Sequence, residues 1–175
     1  PAGAQIVDLS NASVLPGLFD CHSHLCTNLG KPAGDSPREI FGALLLTTLT
    51  DSTAYRALQG VANGRSMLDA GFTTVRDVGN AGNYADTDLR RAQEQGLILN
   101  PTILNAGRII AATGGQFPPR TPGWLQDPKN PDLRHHGVLH AERPGLGNPE
   151  YFYADTRDEM TKAVRENVLY GARLI

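Results

Sequence analysis

The fold of this chain is constrained most by an alternation of short apolar segments with longer segments of helical periodicity. Residues 72–75 and 101–106 are short and apolar, as buried strands are, while residues 51–70 and 86–95 have the spacing and stop signals of helices. An earlier apolar segment ends near residue 20 and reads as the first strand. Strands that alternate with helices in this way predict an α/β fold with a parallel sheet.

Capping signals place the helices more closely. Asp51 or Ser52 can cap the first helix. Its apolar positions at helical spacing are Ala54, Leu58, Val61, Ala62 and Leu68. Thr156 and Glu159 form a capping-box pattern that opens a later helix, and Gly171 ends it, so that a fourth strand is expected to begin there. The apolar face predicted for this later helix carries Met160, Ala163, Val164 and Val168.

Two histidines, His22 and His24, follow the first apolar segment, residues 14–19, in which Pro16 and Gly17 form a turn. In a strand, side chains two positions apart project to the same face, so both imidazoles can converge on one ion. Neutral imidazole is a good ligand for Zn²⁺ and related metals. The pair is therefore a candidate metal site at a strand's carboxyl end, where α/β barrels hold their catalytic groups. As a motif without context it is weak, and two polar residues at a loop mouth are the alternative.

Four segments of the chain follow one another in an order that a known enzyme family shares. The string LPGLFDCHSHL, residues 15–25, resembles that family's first barrel strand, and residues 70–79 resemble its second. Residues 107–115 resemble the segment after the third strand, and residues 156–175 continue the likeness. Together they resemble the amidohydrolase superfamily of metal-dependent hydrolases, in particular its imidazolonepropionase-like and prolidase-like branch.

The resemblance implies a fold and its extent. The implied fold is the first half of a (β/α)8 TIM-type barrel with a remnant of a small β-sandwich domain at its N-terminus. Residues 1–16 would be the end of the sandwich and the approach to the barrel, and residues 17–175 the N-terminal part of the barrel. A full barrel takes about 250 residues, whereas this chain has 175. We therefore expect an internal segment of a longer enzyme.

The resemblance also implies the ligands of the metal. His22 and His24 would bind the more buried of one or two divalent ions, for which Zn²⁺ is expected. A lysine, commonly carboxylated, would bridge two ions from a position directly after Ile175. Two further histidines and a proton-transferring aspartate are expected later still. The catalytic residues are thus expected beyond this chain, and the segment alone is expected to be inactive.

The activity implied is hydrolysis of amide or peptide C–N bonds by metal-activated water. Dipeptides with a C-terminal proline and N-acyl amino acids are the expected small substrates, with cyclic amides as an alternative within the same superfamily. TatD-type deoxyribonucleases also carry two histidines on the first strand, but the Leu15-Pro16-Gly17 approach favours the amidohydrolases. A non-catalytic α/β binding or structural protein is the alternative from another class.

A long segment rich in glycine and proline, about residues 113–153, is predicted to be a loop. In a barrel it would emerge at the catalytic face, so it is a candidate substrate lid, and a surface insertion without substrate contact is the alternative. The lid residues would be Gln116, Phe117, Trp124, Tyr151 and Tyr153. Three further histidines lie in the same loop, at 135, 136 and 140, and are predicted to be solvated rather than metal ligands.

Asp77 follows the second predicted strand together with Arg76. A carboxylate at this position could orient a metal-binding histidine through the second nitrogen of its ring. A structural salt bridge between the two residues is the alternative.

The charge balance argues against nucleic-acid and membrane partners. The chain has 16 basic and 18 acidic residues, and its longest apolar run, residues 43–46, is too short to span a bilayer. The expected partners are a small amide or peptide substrate, the remaining half of the barrel and further copies in a homo-oligomer. Cys21 and Cys26 are expected to be buried free thiols, with a structural disulfide as the alternative.

Overall fold

The computed structural model describes residues 3–27, 51–79, 83–112 and 151–175, together with residue 47. A three-stranded parallel sheet forms its centre, in the order β1-β2-β3. The strands are β1 (Leu18–Ser23), β2 (Phe72–Asp77) and β3 (Thr102–Asn105). Helix α1 (Thr53–Asp69) precedes β2 and helix α2 (Ala85–Glu94) connects β2 to β3. The predicted α/β fold with parallel strands is confirmed.

A second, two-stranded parallel sheet was not predicted. It pairs β4 (Ile109–Ala111) with β5 (Tyr151–Tyr153), and helix α3 (Arg157–Leu169) follows. The prediction that the loop runs to about residue 153 is therefore wrong at its end: residues 151–153 form a strand, and Tyr151 is buried. Strands this short give too few residues for a periodic signal.

The predicted caps form, because each supplies partners for amide groups that a helix start leaves unpaired. The Ser52 hydroxyl accepts a hydrogen bond from the Tyr55 amide at 3.2 Å. At the start of α3, the Glu159 amide donates to the Thr156 hydroxyl at 3.3 Å and the Glu159 carboxylate accepts from the Thr156 amide at 2.9 Å. Gly171, at φ 91°, ends α3 as predicted.

The core lies between the sheet and helices α1 and α2. Its buried members are Leu25, Cys26, Val75, Ala85, Leu89 and Ile103. Helix α1 turns Gly60 toward this core, where an added Cβ would lie 2.8 Å from a Leu89 methyl group. The predicted apolar face of α1 is therefore wrong in part: Arg56, Gly60 and Gly64 are buried, and Leu58 is 67% exposed. Small residues let the two helices approach closely, which the apolar pattern alone does not reveal.

The apolar face predicted for α3 is also wrong in part. Ala163 and Asn167 are its buried residues, while Met160 and Val168 are exposed. After Gly171 no strand forms in residues 172–175, although the Arg173 amide donates to the Asn105 carbonyl oxygen at 2.7 Å. The end of the described chain thus approaches β3 with a backbone hydrogen bond but without the regular pairing that was predicted.

Both cysteines are free thiols, as expected, but Cys21 is exposed and only Cys26 is buried. Among the described residues, none of the helices is both long and apolar enough to cross a membrane.

Candidate metal site

The two histidines of the sequence motif lie side by side at the carboxyl end of β1. His22 is within the strand and His24 directly follows it. Their ring centroids are 5.3 Å apart and the rings meet edge to face, at 75°. Both residues are exposed. Two imidazoles this close, open to solvent, can contribute nitrogen ligands to one divalent ion.

The ring of His24 is oriented by the chain after β2. Its Nδ1 lies 3.1 Å from the carbonyl oxygen of Gly79. A carbonyl oxygen only accepts, so in the neutral imidazole this hydrogen bond assigns the proton to Nδ1 and leaves the Nε2 lone pair for a metal. Metal-binding histidines commonly donate their other ring N–H in this way. The donor set therefore fits a divalent metal ion as one part of its coordination shell.

Gly79 is close to the ring because it has no side chain. A Cβ added there would lie 3.3 Å from Cε1 of His24 and 2.8 Å from Cδ1 of Ile109. A larger residue at position 79 would thus push against both the ring and the start of β4.

Asp77, the last residue of β2, is fully buried beneath this site. Its Oδ2 accepts a hydrogen bond from the Leu25 amide at 3.0 Å and its Oδ1 accepts one from the Gly79 amide at 3.3 Å. The predicted hydrogen bond between this carboxylate and a histidine ring is not seen for His24. Nδ1 of His24 bonds to the Gly79 carbonyl oxygen instead. The alternative salt bridge with Arg76 is not found either; that guanidinium points to the Cys21 carbonyl oxygen at 3.5 Å.

Burial raises the pKa of the Asp77 carboxyl well above its usual range, and the nearby charge of Asp86 raises it further. The two amide hydrogen bonds act in the opposite direction, since they stabilise the ionised form.

Asp86 is a second buried carboxyl group, which the sequence analysis did not single out. Its Oδ2 accepts from the Gly107 amide at 2.8 Å and its Oδ1 from the Thr87 amide at 2.7 Å. Burial raises the pKa of the Asp86 carboxyl, and the two amide hydrogen bonds lower it in part. The carboxylate joins the start of α2 to the turn between β3 and β4. An acidic residue in the first turn of a helix has an ordinary reason to be there, so the sequence contained no separate signal for this role.

A polar network at the end of β3 was also not predicted from the sequence. Arg90 donates from Nε to Oδ1 of Asn105 at 2.9 Å and from Nη2 to the Gly171 carbonyl oxygen at 3.2 Å. Its Nη1 donates to both carboxylate oxygens of Glu94, each at 2.8 Å. These bonds fix the chain after α3 against the carboxyl end of β3, close to where Arg173 meets Asn105.

Gln116 and the other predicted lid residues up to 150, together with the loop histidines, lie outside the described residues. Within the described ranges, no group of three or more histidine, cysteine, aspartate or glutamate side chains is arranged to hold a metal ion. The described part of the chain therefore offers two imidazoles rather than a closed coordination shell.

Comparison with known proteins agrees with the parallel α/β fold. The sequence pattern of the Amidohydrolase family matches residues 13–175. A crystal structure of an amidohydrolase is similar over 100% of this chain and 36% of its own, with 29% identity and a TM-score of 0.66. A prolidase crystallised with N-methylphosphonate-L-proline is similar over 96% of this chain and 36% of its own, with 28% identity and a TM-score of 0.56.

The ochratoxinase of A. niger shares the fold at 22% identity, with a TM-score of 0.58 over 91% of this chain and 32% of its own. No curated protein matches the sequence. The chain spans about a third of the length of these solved relatives. It belongs to the amidohydrolase family, whose members are hydrolases and are generally metal-dependent.

Proposed function

We propose that this chain carries part of the active site of a metal-dependent hydrolase that cleaves amide or peptide C–N bonds. The observation that carries the proposal is the pair of adjacent imidazoles at the end of β1, with the ring of His24 held by the Gly79 carbonyl. A divalent ion bound there would lower the pKa of a coordinated water and polarise the scissile carbonyl. Zn²⁺ suits the imidazole ligands.

The roles of this chain's own residues follow from their placement. His22 and His24 would supply two nitrogen ligands, and the hydrogen bond to Gly79 keeps the Nε2 lone pair of His24 available. The lysine, the further histidines and the aspartate that complete the family's site are expected after Ile175. We accordingly expect the 175-residue segment to be inactive without them.

The barrel is part of the same proposal. Three parallel strands with helices between them support the first half of a (β/α)8 barrel, and the hydrogen bond from the Arg173 amide to the Asn105 carbonyl oxygen brings the chain after α3 beside β3, as such a barrel requires. Residues 1–16 would approach it from a sandwich domain. The remaining strands of the barrel would come from the same polypeptide or from a complementing chain. The complete protein would form a homo-oligomer.

The similarity to a prolidase at 28% identity supports small peptide substrates. Dipeptides with a C-terminal proline come first, and N-acyl amino acids second. The compound crystallised with that relative is a phosphonate joined to proline, which supports a proline on one side of the cleaved bond.

The test uses the protein at its full natural length. Metal content per chain and hydrolysis of a panel of X-Pro dipeptides and N-acyl amino acids would be measured for the wild type and for His22→Ala and His24→Ala. His135→Ala serves as the matched control, because this histidine is not predicted to bind metal.

We expect both site variants to lose bound metal and turnover, and the control to keep the metal content of the wild type. Full metal content and activity in both site variants would refute the proposed site. A wild-type protein that binds metal but cleaves none of the panel would refute the substrate class alone.

A further inference from the structure

The hydrogen bond that orients His24 joins two loops, and one buried carboxylate is bonded to both of them. His24 lies on the loop after β1, and the carbonyl of Gly79 that it contacts lies on the loop after β2. Asp77 accepts the amide of Leu25, the residue next to His24, and the amide of Gly79 itself. The carboxylate thus holds the backbone at both ends of the His24–Gly79 contact.

The neighbouring backbone bonds make this arrangement continuous. The Val78 amide donates to the Ser23 carbonyl oxygen at 3.0 Å, which extends the pairing of β1 with β2 by one residue. The Thr27 amide donates to the His24 carbonyl oxygen at 3.1 Å and closes the turn after the strand. Among the hydrogen bonds of the described residues, the one to the Asp77 side chain is the only bond that links the Leu25 amide to the loop after β2.

We propose that Asp77 is a positioning residue for His24: its carboxylate fixes the Leu25 and Gly79 peptides so that the Gly79 carbonyl orients the imidazole and presents Nε2 to a metal ion. The effect passes through the backbone and not through a contact with the ring. Its functional consequence rests on the proposed metal site, whereas its geometric consequence does not.

The chemistry of the side chain makes the role specific to a carboxylate. Asp77 uses two oxygens to accept two amide protons. Asparagine has nearly the same shape but only one acceptor oxygen, and its NH₂ group would face one of the two amide N–H groups. In Asp77→Asn one loop therefore loses its anchor, and the Gly79 carbonyl and the His24 ring can separate.

Asp86 provides a matched control. It is also buried and also accepts two backbone amides, those of Thr87 and Gly107, but it bonds to neither the loop of His24 nor Gly79. Asp86→Asn should therefore perturb folding to a comparable degree without moving His24.

The experiment compares the full-length wild-type protein with Asp77→Asn and Asp86→Asn by two measurements. The first is the distance from His24 Nδ1 to the Gly79 oxygen in metal-free crystals, which is 3.1 Å here. The second is the dissociation constant for Zn²⁺. We expect Asp77→Asn to lengthen the distance beyond hydrogen-bonding range and to weaken Zn²⁺ binding by about 10- to 100-fold, as is usual for the partners of metal ligands.

Asp86→Asn removes a charge that raises the Asp77 pKa, which favours the Asp77 carboxylate and leaves its two hydrogen bonds in place, so both values should stay within error of the wild type. An unchanged distance in Asp77→Asn, or equal losses of Zn²⁺ affinity in the two variants, would overturn the positioning role. A wild-type protein that binds no Zn²⁺ would instead refute the proposed function, and the distance in the metal-free crystals would still decide the role of Asp77.

If Asp77→Asn does not fold, Gly79→Ala takes its place in the same comparison. The added Cβ would meet Cδ1 of Ile109 at 2.8 Å and Cε1 of His24 at 3.3 Å, so it pushes against the ring as well as β4 while the carboxylate is kept. We expect a moved ring and weaker Zn²⁺ binding in this variant. An unmoved ring together with wild-type Zn²⁺ affinity would show that the Gly79 contact does not position His24.

Discussion

Asn167 offers a quantitative test of how α3 is attached to the rest of the chain. It is 1% exposed, and its amide group makes three hydrogen bonds. Oδ1 accepts from the Tyr84 hydroxyl at 3.0 Å and from the Arg108 amide at 3.2 Å, while Nδ2 donates to the Arg108 carbonyl oxygen at 2.8 Å. One side chain thus ties α3 to the start of α2 and to the turn between β3 and β4.

The expected cost of Asn167→Ala follows from these bonds. Each contributes about 1 kcal/mol net to stability, so removing all three should lower the free energy of opening of α3 by about 3 kcal/mol. Tyr84→Phe removes one bond and should cost about 1 kcal/mol. Because both variants remove the same bond, Tyr84→Phe should cost close to nothing in the Asn167→Ala background.

Native-state hydrogen exchange of the α3 amides in the full-length protein measures these free energies. Val168→Ala is the control on the same helix, since that side chain is 59% exposed and should change stability by no more than about 0.5 kcal/mol. A cost of Asn167→Ala no larger than that of this control would refute the prediction. An equal cost of Tyr84→Phe in both backgrounds would refute it as well.

Two further predictions concern the turn after β3 and the cap of α3. A Cβ added to Gly107, at φ 72°, would lie 3.0 Å from Oδ1 of Asn167, whereas one added to Gly96, at φ 71°, would meet open space. Gly107→Ala should therefore lower the melting temperature more than Gly96→Ala, which incurs only the left-handed backbone cost of about 1–2 kcal/mol; equal shifts would contradict the contact. Hydrogen bonds from the Asp155 amide and from Thr156 lower the pKa of Glu159, so its contribution to α3 stability is present above the unfolded-state pKa and is lost as the pH falls through the folded-state pKa. Glu159→Gln should flatten this acid dependence in hydrogen exchange of α3, and an acid dependence identical to that of the wild type would refute the assignment.

The parts of the fold that could be predicted rest on local signals. The helix starts at Ser52 and Thr156 were predictable because a capping side chain acts on an amide two or three residues away. The parallel α/β class was predictable because strands and helices alternate along the chain. Those interactions lie within a few residues of each other, so their pattern is present before the chain folds.

The parts that could not be predicted depend on what lies across the interface. Periodicity marked an apolar face on α1, but the packing of Gly60 against Leu89 decides which side is buried. Asn167 can be fully buried although it is polar, because its three hydrogen bonds are satisfied. Their partners are distant in sequence, so no local pattern reveals them. Strands β4 and β5 form only because residues 109 and 151 meet.

The candidate site divides in the same way. The neighbouring placement of the two imidazoles follows from the sequence, because side chains two positions apart at the end of a strand project to the same face. The orientation of the His24 ring depends on the tertiary structure. The Gly79 carbonyl orients this ring, and Asp77 bonds to the backbone of both loops. The physical reason is that hydrogen-bond partners more than fifty positions apart, such as Leu25 and Asp77, are chosen by the register of β1 on β2, and that register exists only in the folded chain.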